Sequence, residues 1–177
     1  MKRTDILIRY GIPVSLICIV ICCLCCFYLK YPVTTVILVR HADRTGTIDQ
    51  LNTDGIIRAQ ELARILDEAN ISAIYASTAN RTQQTADPLA TQIGINATIY
   101  DTSDLAALAD DIKTNHKGEV ILVVGHSNTV PQTINLLGIT PALPDIPYTE
   151  FDNLYIVTLT KKSNPRLLKI EYGADTQ

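Results

Sequence analysis

The sequence predicts an α/β protein, a three-layer α/β/α sandwich built on a largely parallel central sheet. Three observations predict it. From residue 34 onward, short apolar runs alternate with segments whose apolar residues recur at helical spacing. Two of the runs, Val36-Ile37-Leu38-Val39 and Val120-Ile121-Leu122-Val123-Val124, are apolar without alternation, the pattern of strands buried on both faces. Each leads directly into a polar cluster containing a histidine, and open α/β sheets place their ligand sites at the carboxyl ends of their strands.

The chain has 177 residues and a net charge of −3, enough for one ordinary domain and an appendage. Residues 11–29 form the appendage, nineteen uncharged positions rich in Ile, Val, Leu and Cys. As a helix they would extend about 28 Å, close to the hydrocarbon thickness of a bilayer. Lys2, Arg3 and Arg9 precede the stretch and Lys30 alone follows closely, so the bias places the amino terminus in the cytoplasm and the body outside it. A cleaved signal peptide would end in small residues, whereas this segment ends in Cys22-Cys23-Leu24-Cys25-Cys26-Phe27-Tyr28. The expected organisation is therefore a cytoplasmic N-terminus with a single transmembrane anchor over residues 1–30 and a folded domain over residues 31–177. All five cysteines lie in the anchor, which leaves the domain without a disulfide framework, a cysteine metal site or a thiol nucleophile. Residues 31–177 carry eleven Lys and Arg against seventeen Asp and Glu, a net charge of −6, which excludes the basic face that nucleic-acid binding requires.

The elements follow in order. Residues 34–40 form the first strand and 43–50 a polar loop. Asn52-Thr53-Asp54 offers a cap for a helix reaching about residue 70, with Ile56, Ile57, Leu62, Ile65, Leu66 and Ala69 as its apolar positions. Residues 71–76 are a strand, and 81–93 a helix stopped by Gly94. Residues 97–100 are a short strand, 104–115 a helix, 119–125 the most apolar strand and 130–137 a helix. Pro141, Pro144 and Pro147 mark a loop. Residues 153–160 and 167–172 close the chain as strands.

Two of the three histidines, His41 and His126, follow buried strands directly and stand at equivalent strand ends. His116 lies in the turn Asn115-His116-Lys117-Gly118 and reads as solvent-exposed. Arg40 adjoins His41, and Arg81 opens a helix just past a strand end. Guanidinium groups and helix N-termini both suit phosphate oxygens, although Arg81 could instead pair with Asp87 or Asp54 at the surface.

Four segments resemble motifs of the histidine phosphatase, or phosphoglycerate mutase-like, superfamily. Arg40-His41-Ala42 is similar to its Arg-His-Gly hallmark. Leu51-Asn52-Thr53-Asp54-Gly55 is similar to its Leu-Thr-x-x-Gly segment, and the stretch from Ile74 through Ser77 and Arg81 to Thr85-Ala86 to its Arg-x-x-Gln-Thr-Ala segment. Val123-Val124-Gly125-His126-Ser127 is similar to its second histidine motif. They occur in the family's order over residues 34–160. The resemblance implies a phosphatase that needs no metal or other cofactor. His41 would be the nucleophile that becomes phosphohistidine, and Arg40, Arg81 and His126 would hold the phosphoryl oxygens. The second ring nitrogen of His41 should donate to a backbone carbonyl.

The family's usual glutamate acid has no counterpart here. Asp43 is the nearest carboxylate to His41 and the first candidate for the general acid, with a loop-turn role as its alternative. Asp101 is second, and Asp104 reads as a helix cap. Arg44 could contact a second anionic group of the substrate or pair with Asp43. Ala42 in place of glycine is mild if its φ is negative and costly if positive.

Few residues lie between positions 101 and 126, so the expected pocket is shallow and open. That suits a phosphatase acting on small phosphomonoesters or phosphohistidine better than a mutase, which must retain its product. A domain outside the cytoplasm would meet phosphorylated envelope sugars or scavenged phosphomonoesters. The rival reading is a catalytically silent domain of the same fold that binds a phosphorylated ligand or protein.

Overall fold

The structure is a computed structural model, and it describes residues 18–23 and 32–176. The chain divides into two units, residues 1–32 and residues 33–177. In the first, residues 18–23 are helical, with Cys18, Cys22 and Cys23 exposed as free thiols. Most of the expected anchor, including Cys25 and Cys26, lies outside the described residues. Among the described residues, no helix is long and apolar enough to cross a membrane.

The second unit contains β1 (Thr34–Arg40), α1 (Thr53–Leu66), β2 (Ile71–Ser77), α2 (Asn80–Ile93), β3 (Thr98–Tyr100), α3 (Leu105–Asn115), β4 (Val120–Gly125), α4 (Thr129–Leu136), β5 (Asn153–Leu159) and β6 (Arg166–Glu171). One sheet holds all six strands in the order β3-β2-β4-β1-β5-β6. The four strands from β3 to β1 run parallel, while β5 and β6 are antiparallel to their neighbours. The sheet is thus mixed, its two antiparallel strands coming from the C-terminal part of the chain.

Alternate residues of the central strands supply two separate cores, because successive side chains of a strand point to opposite faces. Val36, Leu38, Ile121 and Val123 pack with Leu108 and Ile112 of α3 and with Val130 and Ile134 of α4. Ile37, Val39, Leu122 and Val124 pack with Leu62 and Leu66 of α1 and Leu89 of α2. Helices therefore cover both faces, and the central strands are apolar throughout for that reason.

Asn52 caps α1, its Oδ1 accepting from the Gly55 N–H at 2.8 Å. The inward face of α1 is Gly55, Ala59, Leu62, Ala63 and Leu66. Ile56 and Ile57, expected among its apolar positions, are exposed instead. Gly55 decides this rotation, because a Cβ there would overlap the Asp43 carbonyl oxygen and lie 3.0 Å from the Asp43 N. α2 ends where Gly94 takes up φ +71°, a left-handed conformation that favours glycine.

His116 is not the free surface group that its turn suggested. Its Nδ1 meets the Glu119 carboxylate at 2.6 Å and its Nε2 meets the Tyr75 hydroxyl at 2.7 Å. The same hydroxyl donates to Asp111. This network ties α3 to the start of β4 and to Tyr75 within β2, and it contains neither His41 nor His126.

Candidate active site

The parallel register of β1 and β4 sets Arg40 against Gly125, so the next residue of each strand, His41 and His126, leaves the sheet at the same level. The His41 N–H donates to the Gly125 carbonyl at 2.9 Å. The two imidazoles meet edge to face with centroids 5.7 Å apart. β2 brings Ser77 to the same edge, and α2, which follows it, brings Arg81. The structure therefore gathers four side chains that the sequence separates by up to eighty-five positions.

His41 is 2% exposed. Its Nδ1 donates to the Ala42 carbonyl at 2.9 Å, which leaves the Nε2 lone pair as the reactive one. Its pKa is lowered to about 3, first by burial and then by repulsion from Arg40 and Arg81, while the Ala42 hydrogen bond works in the other direction. The ring is therefore neutral throughout the physiological range. Ala42 is fully buried, its φ is not among the positive ones, and its N–H donates to Thr85 Oγ1 at 2.9 Å. Alanine in place of glycine thus brings no backbone strain.

His126 is neutral as well, its pKa lowered to about 4 by burial and then by Arg81, Arg44 and Arg40. Arg81 Nη2 lies 3.1 Å from His126 Nδ1, so that nitrogen accepts. Nε2 then carries the proton and donates to Ser77 Oγ at 2.8 Å. Ser77 is fully buried and also hydrogen-bonds Thr82 at 2.9 Å. In the sequence Ser77 stood out only by its place at a strand end and in the segment with the family resemblance, with no role attached.

Three guanidinium groups complete the site. Arg40 is 2% exposed, with its Cζ 4.1 Å from the Phe151 ring centroid. Its Nη1 donates to the carbonyls of Pro147, Tyr148 and Glu150 at 2.8–2.9 Å. Arg40 thereby orders the loop that the prolines marked. Burial, then Arg44, lowers its pKa to about 10, which leaves it charged at neutral pH. Arg44 stands with its Cζ 5.9 Å from the Tyr148 ring. Tyr148 in turn donates its hydroxyl to the Gly46 carbonyl at 2.8 Å. Arg81 pairs with Asp49 at 2.7 Å, not with Asp87 or Asp54. The Nε atoms of Arg40, Arg44 and Arg81 are all buried without a hydrogen-bond partner. Buried donors are seldom left unpaired, and a guanidinium N–H suits an oxyanion.

The carboxylates do not supply an evident acid. Asp43 Oδ2 accepts from Arg58 Nε at 2.6 Å in a buried ion pair, and Arg58 also donates to the carbonyls of Tyr172 and Ala174 at 2.7 Å. The side chain offered as general acid thus anchors α1 and the C-terminal segment to the end of β1. It does not pair with Arg44. Asp101 is exposed and accepts from the Ser103 N–H and hydroxyl at 2.8 Å, while Asp104 caps α3 through the Ala107 N–H. Neither hydrogen-bonds to His41 or His126. Among the described residues, Asp152, Glu171 and Asp175 bring carboxylate oxygens within 4.8 Å of one another, a metal-like cluster that shares no residue with the histidine site.

A buried, neutral strand-end histidine, with Arg40, Arg81 and His126 close enough to act on its charge, stands at one edge of the sheet of this α/β sandwich. The model of the histidine phosphatase superfamily (branch 1) matches residues 36–106. Solved structures share the fold across nearly their whole length. The protein histidine phosphatase SixA complexed with tungstate superposes with a TM-score of 0.59 at 18% identity, covering 77% of this chain and 96% of that one. The phosphoserine phosphatase of Entamoeba histolytica, in complex with 3-phosphoglyceric acid, gives 0.56 at 16% identity, covering 80% and 97%. A mycobacterial glucosyl-3-phosphoglycerate phosphatase gives 0.58 at 13% identity, covering 80% and 99%. No curated protein matches the sequence. The likeness to the histidine phosphatase superfamily thus rests on the family model over residues 36–106, and the solved structures show the shared fold.

Proposed function

We propose that the domain over residues 31–177 is a phosphatase that hydrolyses phosphomonoesters or phosphohistidine through a phosphohistidine intermediate on His41. The observation that carries this reading is the neutral His41 ring, its Nδ1 proton fixed on the Ala42 carbonyl. A lone pair is then available on Nε2 without prior deprotonation. Nε2 attacks phosphorus, the bond from phosphorus to the leaving atom breaks, and the leaving group takes up a proton. Water then attacks the phosphohistidine, the P–N bond breaks, phosphate forms and the ring returns to its neutral state. Arg40 and Arg81 hold the phosphoryl oxygens through both steps, His126 joins them when its Nε2 proton turns from Ser77 to the phosphoryl group, and Arg44 adds charge for a further anionic group of the substrate.

With Asp43 held by Arg58, the leaving group either takes its proton from solvent or departs without one. That favours good leaving groups, phosphoramidates among them. The chemistry agrees with that of one structural relative, a protein histidine phosphatase. The same engagement of Asp43 is the one observation that favours the rival reading, a silent phosphate-binding domain.

The test is hydrolysis of p-nitrophenyl phosphate and of phosphohistidine by the full chain between pH 4 and 8, with His41→Ala as control. Turnover that falls at least about 10³-fold in the variant, with phosphate trapped on His41 by mass spectrometry, is the expected result. No turnover and no phosphorylated His41 across that range would remove the enzyme from the reading and leave the binding domain.

We further propose a single-pass membrane anchor in residues 11–29 with the catalytic domain outside the cytoplasm, on the strength of the apolar run and its flanking charges. A C-terminal reporter fusion active only in the cytoplasm would contradict it.

A further inference from the structure

α2 begins without a cap of its own. Its N-cap residue is Ala79, whose side chain has nothing to accept with. A carboxylate from some thirty positions earlier takes the place of a cap. Asp49 Oδ2 accepts from the Asn80 N–H at 3.1 Å, and Oδ1 accepts from the Arg81 N–H at 3.4 Å and from Arg81 Nη1 at 2.7 Å. These are the donors that an oxyanion seeks, free N–H groups at a helix start and one face of a guanidinium. The remaining Arg81 nitrogens face the site. Nη2 meets His126, and Nε is buried and unpaired.

The loop carrying Asp49 is attached to the site on both sides. The Tyr148 hydroxyl holds Gly46, and the Asn52 N–H donates to the Asp43 carbonyl at 3.1 Å. Asp49 itself remains 45% exposed at its side chain, so water and solutes reach it. Desolvation is the largest single influence and acts the other way, but the Asn80 and Arg81 donors together outweigh it and hold the carboxyl below the ordinary carboxylate range, so it is anionic wherever the site would meet phosphate.

We propose that Asp49 is an internal anion of the phosphoryl site, a specificity-determining residue whose carboxylate occupies the α2 N-terminus and one face of Arg81 and so limits how tightly the site holds phosphate. Incoming phosphate either displaces the carboxylate from those donors or binds beside it against its charge. Both routes weaken phosphate binding, so both give the same sign when the charge is removed. The consequence for turnover is easier release of product phosphate. The proposal rests on the phosphoryl-site reading above but not on hydrolysis.

Asp49→Asn is the decisive variant, since the amide oxygen can still accept from the Asn80 N–H while the charge is gone. Inorganic phosphate binding to the full chain is measured by calorimetry. The expected result is affinity about tenfold tighter in Asp49→Asn, with the melting temperature little changed, and a lower KM for p-nitrophenyl phosphate if the chain turns it over. Asp54→Asn, which removes an equal charge from the first turn of α1, should leave phosphate affinity unchanged. If Asp49→Asn folds poorly, Asp49→Ser keeps a shorter capping oxygen and should show the same tightening. Unchanged or weaker phosphate binding in the Asp49 variants overturns the inference, as does equal tightening in Asp54→Asn. Wild-type binding without turnover overturns hydrolysis alone. Wild-type binding that ignores Asp49 overturns this inference alone.

Discussion

His41 and Asp43 leave the same strand end two positions apart, and burial acts on them differently. An imidazole enters a buried site as a neutral ring; a carboxylate enters with a cation beside it. His41 accordingly sits neutral on the Ala42 carbonyl, and Asp43 sits against Arg58. Sequence proximity made Asp43 the first candidate acid, yet the partner that recruits it lies fifteen residues on, on a helix face that no local pattern joins to it. Asp43→Asn leaves Arg58 buried without its anion and should destabilise the fold by about 3 kcal/mol or more, read from urea unfolding. Turnover per folded molecule should stay within about threefold, because a structural carboxylate takes no part in proton transfer. A hundredfold loss of kcat at unchanged stability would restore Asp43 as the acid. Arg40, His41, Arg81 and His126 were all legible because each stands beside a strand end or helix start. Asp49 was not, nor was the contact of Ser77 with His126, since these partners are set by loop closure and by neighbouring strands.

At the scale of elements, α1 shows how one close approach rotates a whole helix. Its apolar residues alone placed Ile56 and Ile57 toward the core. The contact of Gly55 with the Asp43 backbone instead puts Gly55, Ala59, Leu62, Ala63 and Leu66 inside. Gly55→Ala should push the start of α1 off the β1 end, at a cost of about 2 kcal/mol, and disturb the Asn52 cap and the Asp43–Arg58 pair with it. Unfolding midpoints and turnover should fall together, and a variant as stable as wild type would show that the helix start has room to move. The loop before β5 gives a second case. Its prolines identify it as a loop, but its path is set by three carbonyls converging on Arg40 Nη1. A residue proposed as a phosphate clamp is therefore also the peg that holds the site's wall.

Over the whole molecule, the buried neutral histidines link stability to pH. The folded-state pKa values of His41 and His126 are lowered to about 3 and about 4, below the ordinary value of 6.5. Below that ordinary value the unfolded chain binds protons that the folded one refuses. The contribution is thus whole above about pH 6.5 and is lost as pH falls toward the folded values, at about 1.4 kcal/mol per pH unit for each histidine. His41→Ala should flatten the decline between pH 6.5 and 4.5 by about 2–3 kcal/mol, measured by urea unfolding at a series of pH values. Equal slopes in variant and wild type would mean that His41 is not held neutral.

The sequence by itself determined the alternation of elements, the two buried strands, the histidines at their ends and the uncharged run at residues 11–29. These are local properties, written in periodicity, composition and adjacency. Tertiary structure decided the sheet order, the antiparallel β5 and β6, the rotation of α1, the pairing of Asp43 with Arg58 and the seat of Asp49 on Arg81. Each depends on which segments meet in space, and a buried charge or donor takes its partner from whatever neighbour the packing brings within reach.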